Sequence, residues 1–348
     1  MVEKKRSVMK YIRTYETKEK FLTDKDSTSR EFRLKPTLYK YSGAEDHIQL
    51  ELDDPRKHGD STWIRLEFTR ATSFSFKIGN VNGDSYNSLK YVIDWGDGTV
   101  EMNTAVQGTD GLYTFTHSYD VGVYDMELYG TDRRYVIPGD SSSMYNYKSY
   151  FSPATSVKRV IVGDSIIYTD CTFCKCSKLT SINLPEGSVF TGNRVFYNCS
   201  SLVSINLPST LTSIGGNAFY NCSSLVSINL PSTLTSIGSQ AFTGCHKLTS
   251  INLPEGLKTI GSQAFVGCLK LTSINLPEGL KTIEDGMFNS CSDLASISSY
   301  NTTAPTLKGS NMFTGIHSNG TLHIKPGATG YDAWLSELPE GWRIVEDL

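Results

Sequence analysis

Cysteines are the residues of this sequence whose type and spacing most suggest chemistry. Cys171, Cys174 and Cys176 stand close together, as the first ligands of a zinc site can. A complete site needs a second pair of cysteines or histidines, and none follows nearby. Because six cysteines recur at intervals of 23 residues, we expect a row of buried thiols that serve packing, and we predict no metal site and no cofactor. These six are Cys176, Cys199, Cys222, Cys245, Cys268 and Cys291.

Two carboxylates in the first half of the chain are candidate ligands for a calcium ion. Asp94 and Asp97 have the oxygen ligands that calcium prefers. Asp97 precedes Gly98 in a turn-like segment, where aspartate commonly accepts backbone N–H bonds, and we favour this role for it. The six histidines fall in no catalytic arrangement, and the sequence has no nucleophile elbow, phosphate-binding loop or zinc-protease motif. We therefore predict that the protein is not an enzyme.

Composition and charge exclude further classes of function. The formal net charge is −3, and no basic stripe is present to contact phosphates, so nucleic acid is not an expected partner. No apolar run approaches the ~18 residues of a membrane span. The basic segment 1–13 lacks the apolar stretch of a signal peptide, and no cysteine before Cys171 offers a thiol for a lipid anchor. We expect neither a secretion signal nor a membrane span.

The second half of the chain repeats with a constant period of 23 residues. Its unit reads L-x-S-I-x-L-P-x-x-L-x-x-I-x-x-x-x-F-x-x-C. A fixed period in this range, with this spacing of leucines, predicts a leucine-rich solenoid in which each coil buries its apolar edge against its neighbours. The recurring phenylalanines are Phe173, Phe196, Phe219, Phe242, Phe265 and Phe288.

The repeat unit also predicts where each coil turns. Leu, Ile and Leu of L-x-x-I-x-L point inward from a short strand, and the proline that follows ends the strand because it has no N–H to donate. The pattern begins at Val157 and predicts a solenoid over 157–320. The period loosens after Phe288, and residues 321–348 carry aromatic side chains suited to cover the last coil. We predict a C-terminal cap there.

Short polar side chains should line the concave sheet of this solenoid. They could hydrogen-bond a glycan or an extended protein segment, or they could simply form a solvated sheet whose side chains fit the spacing between coils. This face is our candidate ligand-binding site. Its residues are Ser181, Asn183, Ser204, Asn206, Ser227, Asn229, Ser250, Asn252, Ser273 and Asn275.

The first half of the chain shows a different, two-residue periodicity. Segments such as Trp63–Phe68 and Phe74–Ile78 alternate apolar and polar residues between Gly, Asn and Asp, which predicts antiparallel strands packed as a β-sandwich over 46–137. We interpret 138–156 as a linker and 1–45 as an N-terminal attachment or extension segment. The predicted fold class is therefore mainly β.

Two resemblances add to this interpretation. The repeats, with Ser-Ile-Asn-Leu-Pro at 181–185, resemble the BspA-type (Treponema pallidum-like) leucine-rich repeats of bacterial surface proteins. Trp-Gly-Asp-Gly-Thr at 95–99 and His-Ser-Tyr at 117–119 resemble the polycystic-kidney-disease (PKD) immunoglobulin-like domain. The resemblance implies a protein of Bacteroidales or their phages that takes part in adhesion or protein binding.

Two hypotheses of function follow from these observations. In the first, a non-enzymatic adhesion or receptor-binding protein on a bacterial surface or phage particle binds a protein or surface glycan of a host cell through the solenoid. In the second, the chain is a structural component of a phage virion, whose repeats serve assembly and whose residues 1–45 contact other virion proteins. A homo-oligomer is compatible with both; a symmetric oligomer joined through residues 1–45 favours the second, whereas an adhesin can be monomeric.

Overall fold

The structure, a computed structural model, describes residues 192–348 without a gap. Before residue 192 it describes 34–37, 49–52, 61–68, 70–80, 91–102, 113–130, 135–137, 139–140, 148–149, 157–161, 167–168, 170–184, 186 and 189–190. Most of the predicted attachment segment 1–45 therefore lies outside the described residues.

The strands before the repeats are β1 (Leu34–Thr37), β2 (Gln49–Leu52), β3 (Ser61–Phe68), β4 (Thr72–Asn80), β5 (Tyr91–Asp94), β6 (Val100–Met102), β7 (Tyr113–Tyr119), β8 (Gly122–Gly130), β9 (Tyr135–Ile137), β10 (Gly139–Asp140) and β11 (Lys148–Ser149). The strands of the repeats are β12 (Val157–Ile161), β13 (Ile167–Tyr168), β14 (Ser181–Asn183), β15 (Val189–Phe190), β16 (Ser204–Asn206), β17 (Ser213–Ile214), β18 (Ser227–Ile228), β19 (Ser236–Ile237), β20 (Ser250–Ile251), β21 (Thr259–Ile260), β22 (Ser273–Leu276), β23 (Thr282–Ile283), β24 (Ser296–Ser299), β25 (Thr306–Leu307), β26 (Asn319–Ile324) and β27 (Gly341–Glu346). The only helix among the described residues is α1 (Asp332–Leu335).

Seven strands of the first half form two antiparallel sheets that share one core, while β1 pairs with β2 and β10 with β11 in separate two-stranded sheets. One sheet has the order β3-β8-β5-β6, and the other has the order β9-β4-β7. Leu66 and Phe68 of the first sheet are buried, as are Phe74 and Phe76 of the second. Trp95 lies between the sheets, with its ring centroid 5.9 Å from that of Phe76. The two-residue periodicity thus separates core residues from outward ones.

The second half is a solenoid of about seven turns. Each coil contributes one short strand to a parallel arrangement in which a residue pairs with its equivalent in the next coil, as Ser181 pairs with Ser204 and Ser227 with Ser250. A second set of two-residue strands follows the proline of each repeat, with β17, β19 and β21 in one parallel sheet. The prediction of a mainly β chain with a C-terminal solenoid is confirmed.

Equivalent side chains of successive coils stack in columns inside the solenoid. The phenylalanine rings lie nearly parallel, with centroids 5.3 Å apart for Phe219 and Phe242 and 5.6 Å apart for Phe242 and Phe265. From Cys199 to Cys291, each row cysteine donates its S–H to the carbonyl of the phenylalanine 26 residues earlier, as Cys245 does to Phe219 at 3.3 Å. The same carbonyl also accepts the backbone N–H of the cysteine in its own coil, as Phe219 does from Cys222 at 3.1 Å, so the buried thiol is a second donor that links adjacent coils.

Two columns of the solenoid require a left-handed backbone. One column includes Asn221 with φ 55°, Gly244 with φ 75° and Gly267 with φ 70°. Asparagine and glycine tolerate this conformation better than other residues and occupy most positions of the column, which also contains Lys175 and Ser290 at positive φ. The other column includes Asn217 with φ 56° and Gln240 with φ 58°, which are also left-handed.

The two sheets of the first half continue into the repeats. Strand β12 pairs antiparallel with β3 and parallel with β14, so that Val160 lies between Ile64 and Ile182. Strand β13 pairs in parallel with both β9 and β15. The sheets thereby reach the orders β16-β14-β12-β3-β8-β5-β6 and β15-β13-β9-β4-β7. The sheets of the β-sandwich therefore cover the edge that the first coil would otherwise leave open. The predicted linker 138–156 lies between these two parts in the sequence.

The last coil is covered by α1, β26 and β27. Trp334 of α1 is buried against Phe313, with ring centroids 5.6 Å apart, and donates its indole N–H to the carbonyl of Pro305. Tyr331 donates its hydroxyl proton to the Ser299 hydroxyl at 2.7 Å. These contacts give the aromatic residues near the C-terminus a shared function, which is to close the apolar interior.

Candidate functional site

The predicted ligand-binding residues lie together on one face of the solenoid, which we call the Ser–Asn face. The face is formed by the ten serines and asparagines named above. Within each strand the isoleucine between serine and asparagine points inward, as the exposed–buried–exposed pattern of β16 illustrates. Because side chains alternate along a strand, both polar residues of each rung must point outward. The repeat sequence therefore fixes the composition of the face.

Register brings equivalent residues of successive coils side by side. Asn183 pairs with Asn206, and Asn206 forms a parallel bridge to Asn229. From Ser204 to Asn275 every serine and asparagine of the face is exposed, and Ser181 is half-buried. The side chain of Asn183 lies outside the described residues. The structure thus assembles the predicted site as two parallel polar rows, one of serines and one of asparagines.

The Ser–Asn face carries no charge along these rows and has an apolar border. Val203 and Val226 stand next to the serine row and are 46% and 39% exposed. In the next two coils Thr249 and Thr272 occupy the same position and are also exposed. Within the described residues, no side-chain hydrogen bond engages the amides of the asparagine row from 206 to 275. These amides therefore have both donors and acceptors available for a ligand.

Charged groups lie at the two ends of the face. At the first coil, Lys178 is 3.9 Å from Glu67 of β3 and joins the repeats to the sandwich sheets. Near the last coil, His323 Nδ1 lies 2.9 Å from the carboxylate of Asp347. Both contacts involve partly exposed side chains, so each contributes little to stability. Lys247 and Lys270 hold the position equivalent to Lys178 in the coils of Ser250 and Ser273, so only the serine and asparagine rows themselves are uncharged.

The carboxylates considered for calcium are engaged by hydrogen bonds within the chain. The carboxylate of Asp94 accepts the N–H of Gly96 at 2.7 Å, and Asp97 accepts both the N–H and the hydroxyl of Thr99. The other oxygen of Asp97 lies 2.7 Å from Nε2 of His117. Among the described residues, no group of three His, Cys, Asp or Glu side chains is arranged to hold a metal ion.

The contact between Asp97 and His117 joins segments 20 residues apart, and the sequence alone did not indicate it. Burial opposes ionisation of Asp97, but the hydrogen bonds from His117 and Thr99 outweigh it, so the pKa of this carboxyl lies below its ordinary value. The His117 ring stacks on Trp95 with centroids 4.8 Å apart. The cluster therefore fixes the turn before β6 to the end of β7.

The eight cysteines divide into a bonded pair and a row of thiols. Cys171 and Cys174 form a disulfide, which the spacing of the cysteines did not reveal, and Cys176 belongs to the row. All six row cysteines are buried and unbonded. Burial raises the pKa of Cys199 and Cys222 well above the ordinary value, so their thiols stay protonated and unreactive.

Comparisons with known proteins identify the repeats. The family model of the BspA type leucine rich repeat region matches in six copies over residues 147–242 and 212–326, which together span more than half of the chain. A search of the curated proteins found no match. No helix in the described part of the chain is long and apolar enough to cross a membrane.

Several solved structures are similar to the chain. The Treponema pallidum leucine-rich-repeat protein TpLRR is 24% identical, with 62% of this chain and 92% of that chain covered and a TM-score of 0.47. A leucine-rich cell surface protein of Faecalibacterium prausnitzii is 29% identical, with coverages of 42% and 47% and a TM-score of 0.34. The pneumococcal vaccine antigen PcpA is 18% identical, with coverages of 55% and 68% and a TM-score of 0.33.

Relatives of this kind are leucine-rich-repeat proteins, which are not enzymes as a family, and some are described as proteins of the cell surface. The family suggests a role in protein binding or adhesion. On the match of its repeats, the chain belongs to the family of BspA-type leucine-rich-repeat proteins.

Proposed function

We propose that the chain is a non-enzymatic adhesion or receptor-binding protein that binds a protein or glycan of a host cell through the Ser–Asn face, on a bacterial surface or a phage particle. The observation that carries this proposal is the uninterrupted double row of exposed, neutral side chains from Ser204 to Asn275. Their amides and hydroxyls offer donors and acceptors at a spacing of about 4.8 Å, which suits an extended ligand with many hydrogen-bonding groups.

The proposal is tested by matched substitutions on two sides of the same two coils. Asn206→Lys with Asn229→Lys adds two charges to the Ser–Asn face. Thr212→Lys with Thr235→Lys adds the same charges beside the strands β17 and β19, where the later coils already carry exposed lysine, as at Lys258. Both double variants should keep the fold of the parent chain.

The probe is an array of purified host glycans and host extracellular proteins. The parent chain should bind at least one member, and the asparagine variant should bind it at least about tenfold more weakly, since each amide hydrogen bond contributes about 1 kcal/mol. The threonine variant should bind like the parent. Equal binding by the asparagine variant and the parent would place the site elsewhere.

The location of the protein is a separate question that the same proposal raises. An antibody against residues 151–348 can be applied to density-banded phage particles and to peptides shaved by protease from intact cells. Signal in the particles would assign the protein to the virion. Signal in the shaved peptides alone would assign it to the cell surface.

A further inference from the structure

The last strand of the solenoid is an edge strand. Strand β27 ends the sheet β22-β24-β26-β27 and pairs on one side with β26, with Thr321 opposite Arg343 and His323 opposite Val345. No strand of the described chain pairs with its outer side. An edge strand of this length presents unpaired N–H and C=O groups to any other strand that can reach it.

The direction of the free backbone groups follows from the hydrogen bonds to β26. Asp347 donates its N–H to the Ile324 carbonyl at 3.1 Å, so the backbone groups of the odd-numbered residues of β27 face β26. Successive residues direct these groups to opposite edges of a strand. The N–H and C=O groups of Ile344 and Glu346 therefore point to the outer edge, where they can bond another strand.

We propose that β27 pairs antiparallel with β27 of a second copy of this chain, which makes the protein a two-fold symmetric dimer. With the symmetry axis at Val345, Arg343 of each copy lies opposite Asp347 of the other. Residues that pair across antiparallel strands lie on the same face of the sheet, so these opposite charges are neighbours. Arg343 is exposed, and the Asp347 side chain is 45% exposed although it contacts His323.

The other end of the solenoid favours this symmetric arrangement over an open stack. Head-to-tail stacking of copies needs a free strand at the first coil, but β12 is already paired with β3 there. Two identical edges can meet only by a two-fold rotation, which gives a closed dimer.

The dimer goes beyond the proposed function, because it can form whether or not the Ser–Asn face binds a ligand. Its consequence for that face is geometric. A two-fold axis perpendicular to the sheet β22-β24-β26-β27 keeps both Ser–Asn faces on the same side, with the two copies of this sheet joined through β27. Two weak sites held in this way would bind a repetitive surface far more tightly than one.

The test is the mass of the full chain in solution, measured by sedimentation velocity over a wide range of protein concentration. The parent chain should be in reversible monomer–dimer equilibrium. Arg343→Asp and Asp347→Arg should each weaken the dimer by at least about tenfold, because each places like charges opposite one another at two symmetric positions. The double variant with both changes exchanges the charges and should restore the parent affinity.

Circular dichroism and thermal unfolding serve as the control that each variant keeps the parent fold. Ile344→Pro is an independent variant, since it removes an outward N–H that β26 does not use, and it should also give a monomer. A parent chain that is monomeric at every concentration would overturn the proposal. So would a dimer that both single charge reversals leave unchanged, or one that the double variant fails to restore.

Discussion

Replacing Leu225 by aspartate in the middle of the solenoid gives the sharpest test of the packing described above. Leu225 is fully buried, and its equivalents Leu202 and Leu248 in the adjacent coils are fully buried as well. Removing a leucine side chain at such a site costs about 3–5 kcal/mol for the lost contacts and the cavity. Aspartate adds a charge that has no cationic partner in this apolar column.

The cost of that charge can be worked out from its effect on the pKa. Full burial raises the pKa of a carboxyl by about 3–5 units, and each unit corresponds to about 1.36 kcal/mol at neutral pH. At pH 7 the charge therefore costs at most about 4 kcal/mol in addition to the cavity, because a buried carboxyl whose pKa rises above 7 folds in its protonated form. The sum is comparable to the whole stability of a typical domain, about 5–15 kcal/mol. We expect Leu225→Asp to unfold the coils around residue 225 at pH 7.

The pH dependence of stability separates the free-energy cost of the buried charge from that of the cavity. Because the pKa is raised in the folded state, the penalty for the charge is present in full above that pKa and disappears as pH falls toward the unfolded value. Leu225→Asn has nearly the same shape without the charge, so its stability should not change over this range. The assay is chemical denaturation followed by circular dichroism at pH 7 and near pH 5 for parent, Leu225→Asp and Leu225→Asn. Equal stabilities of the two variants at both pH values, or a Leu225→Asp variant as stable as the parent, would refute the reasoning.

Three further predictions concern the backbone, the turn cluster and the thiols. Gly244→Ala and Gly267→Ala should each lose about 1–2 kcal/mol, measured by denaturation, because both positions have positive φ. Gly244→Ala should lose more, because its new Cβ would meet the Asn221 side chain, whereas a Cβ at Gly267 would make only ordinary van der Waals contacts with Gly244. The parent should lose stability as pH falls through the lowered pKa of Asp97. The Asp97→Asn variant cannot ionise at this position and should lack this loss. Acid titrations that also follow His117 by NMR measure the difference. The six row thiols should resist alkylation in the folded chain and react only after unfolding, which mass spectrometry can count.

The sequence predicted the parts of this fold that depend on repetition. A constant period of 23 residues places equivalent residues of neighbouring coils side by side. The rows of the Ser–Asn face therefore follow from the spacing of Ser204, Ser227 and Ser250 alone. The alternation along Trp63–Phe68 likewise predicted a strand with one buried side. These patterns are local, since each coil or strand determines its own inward residues.

Contacts between distant and unrelated segments were not predictable in this way. The pairing of β12 with β3 joins a repeat to a strand with no repeat pattern, and neither segment indicates the other. The contact of Asp97 with His117 and the bond between Cys171 and Cys174 depend on where the chain turns in three dimensions. The match of the first half to a PKD-like domain remains a prediction, as do the boundaries of the domains.

The equivalence of the inner coils has a consequence for how the protein can change over generations. Residues 201–215 and 224–238 are identical in sequence, and each interior coil presents the same backbone groups to the coil before and after it. Recombination between such near-identical stretches of a gene can therefore add or remove one whole unit, while the covered first coil and the aromatic cap stay intact. Each unit gained would lengthen the protein by about 4.8 Å. The length of the solenoid can therefore differ among descendants of this protein while the fold stays the same.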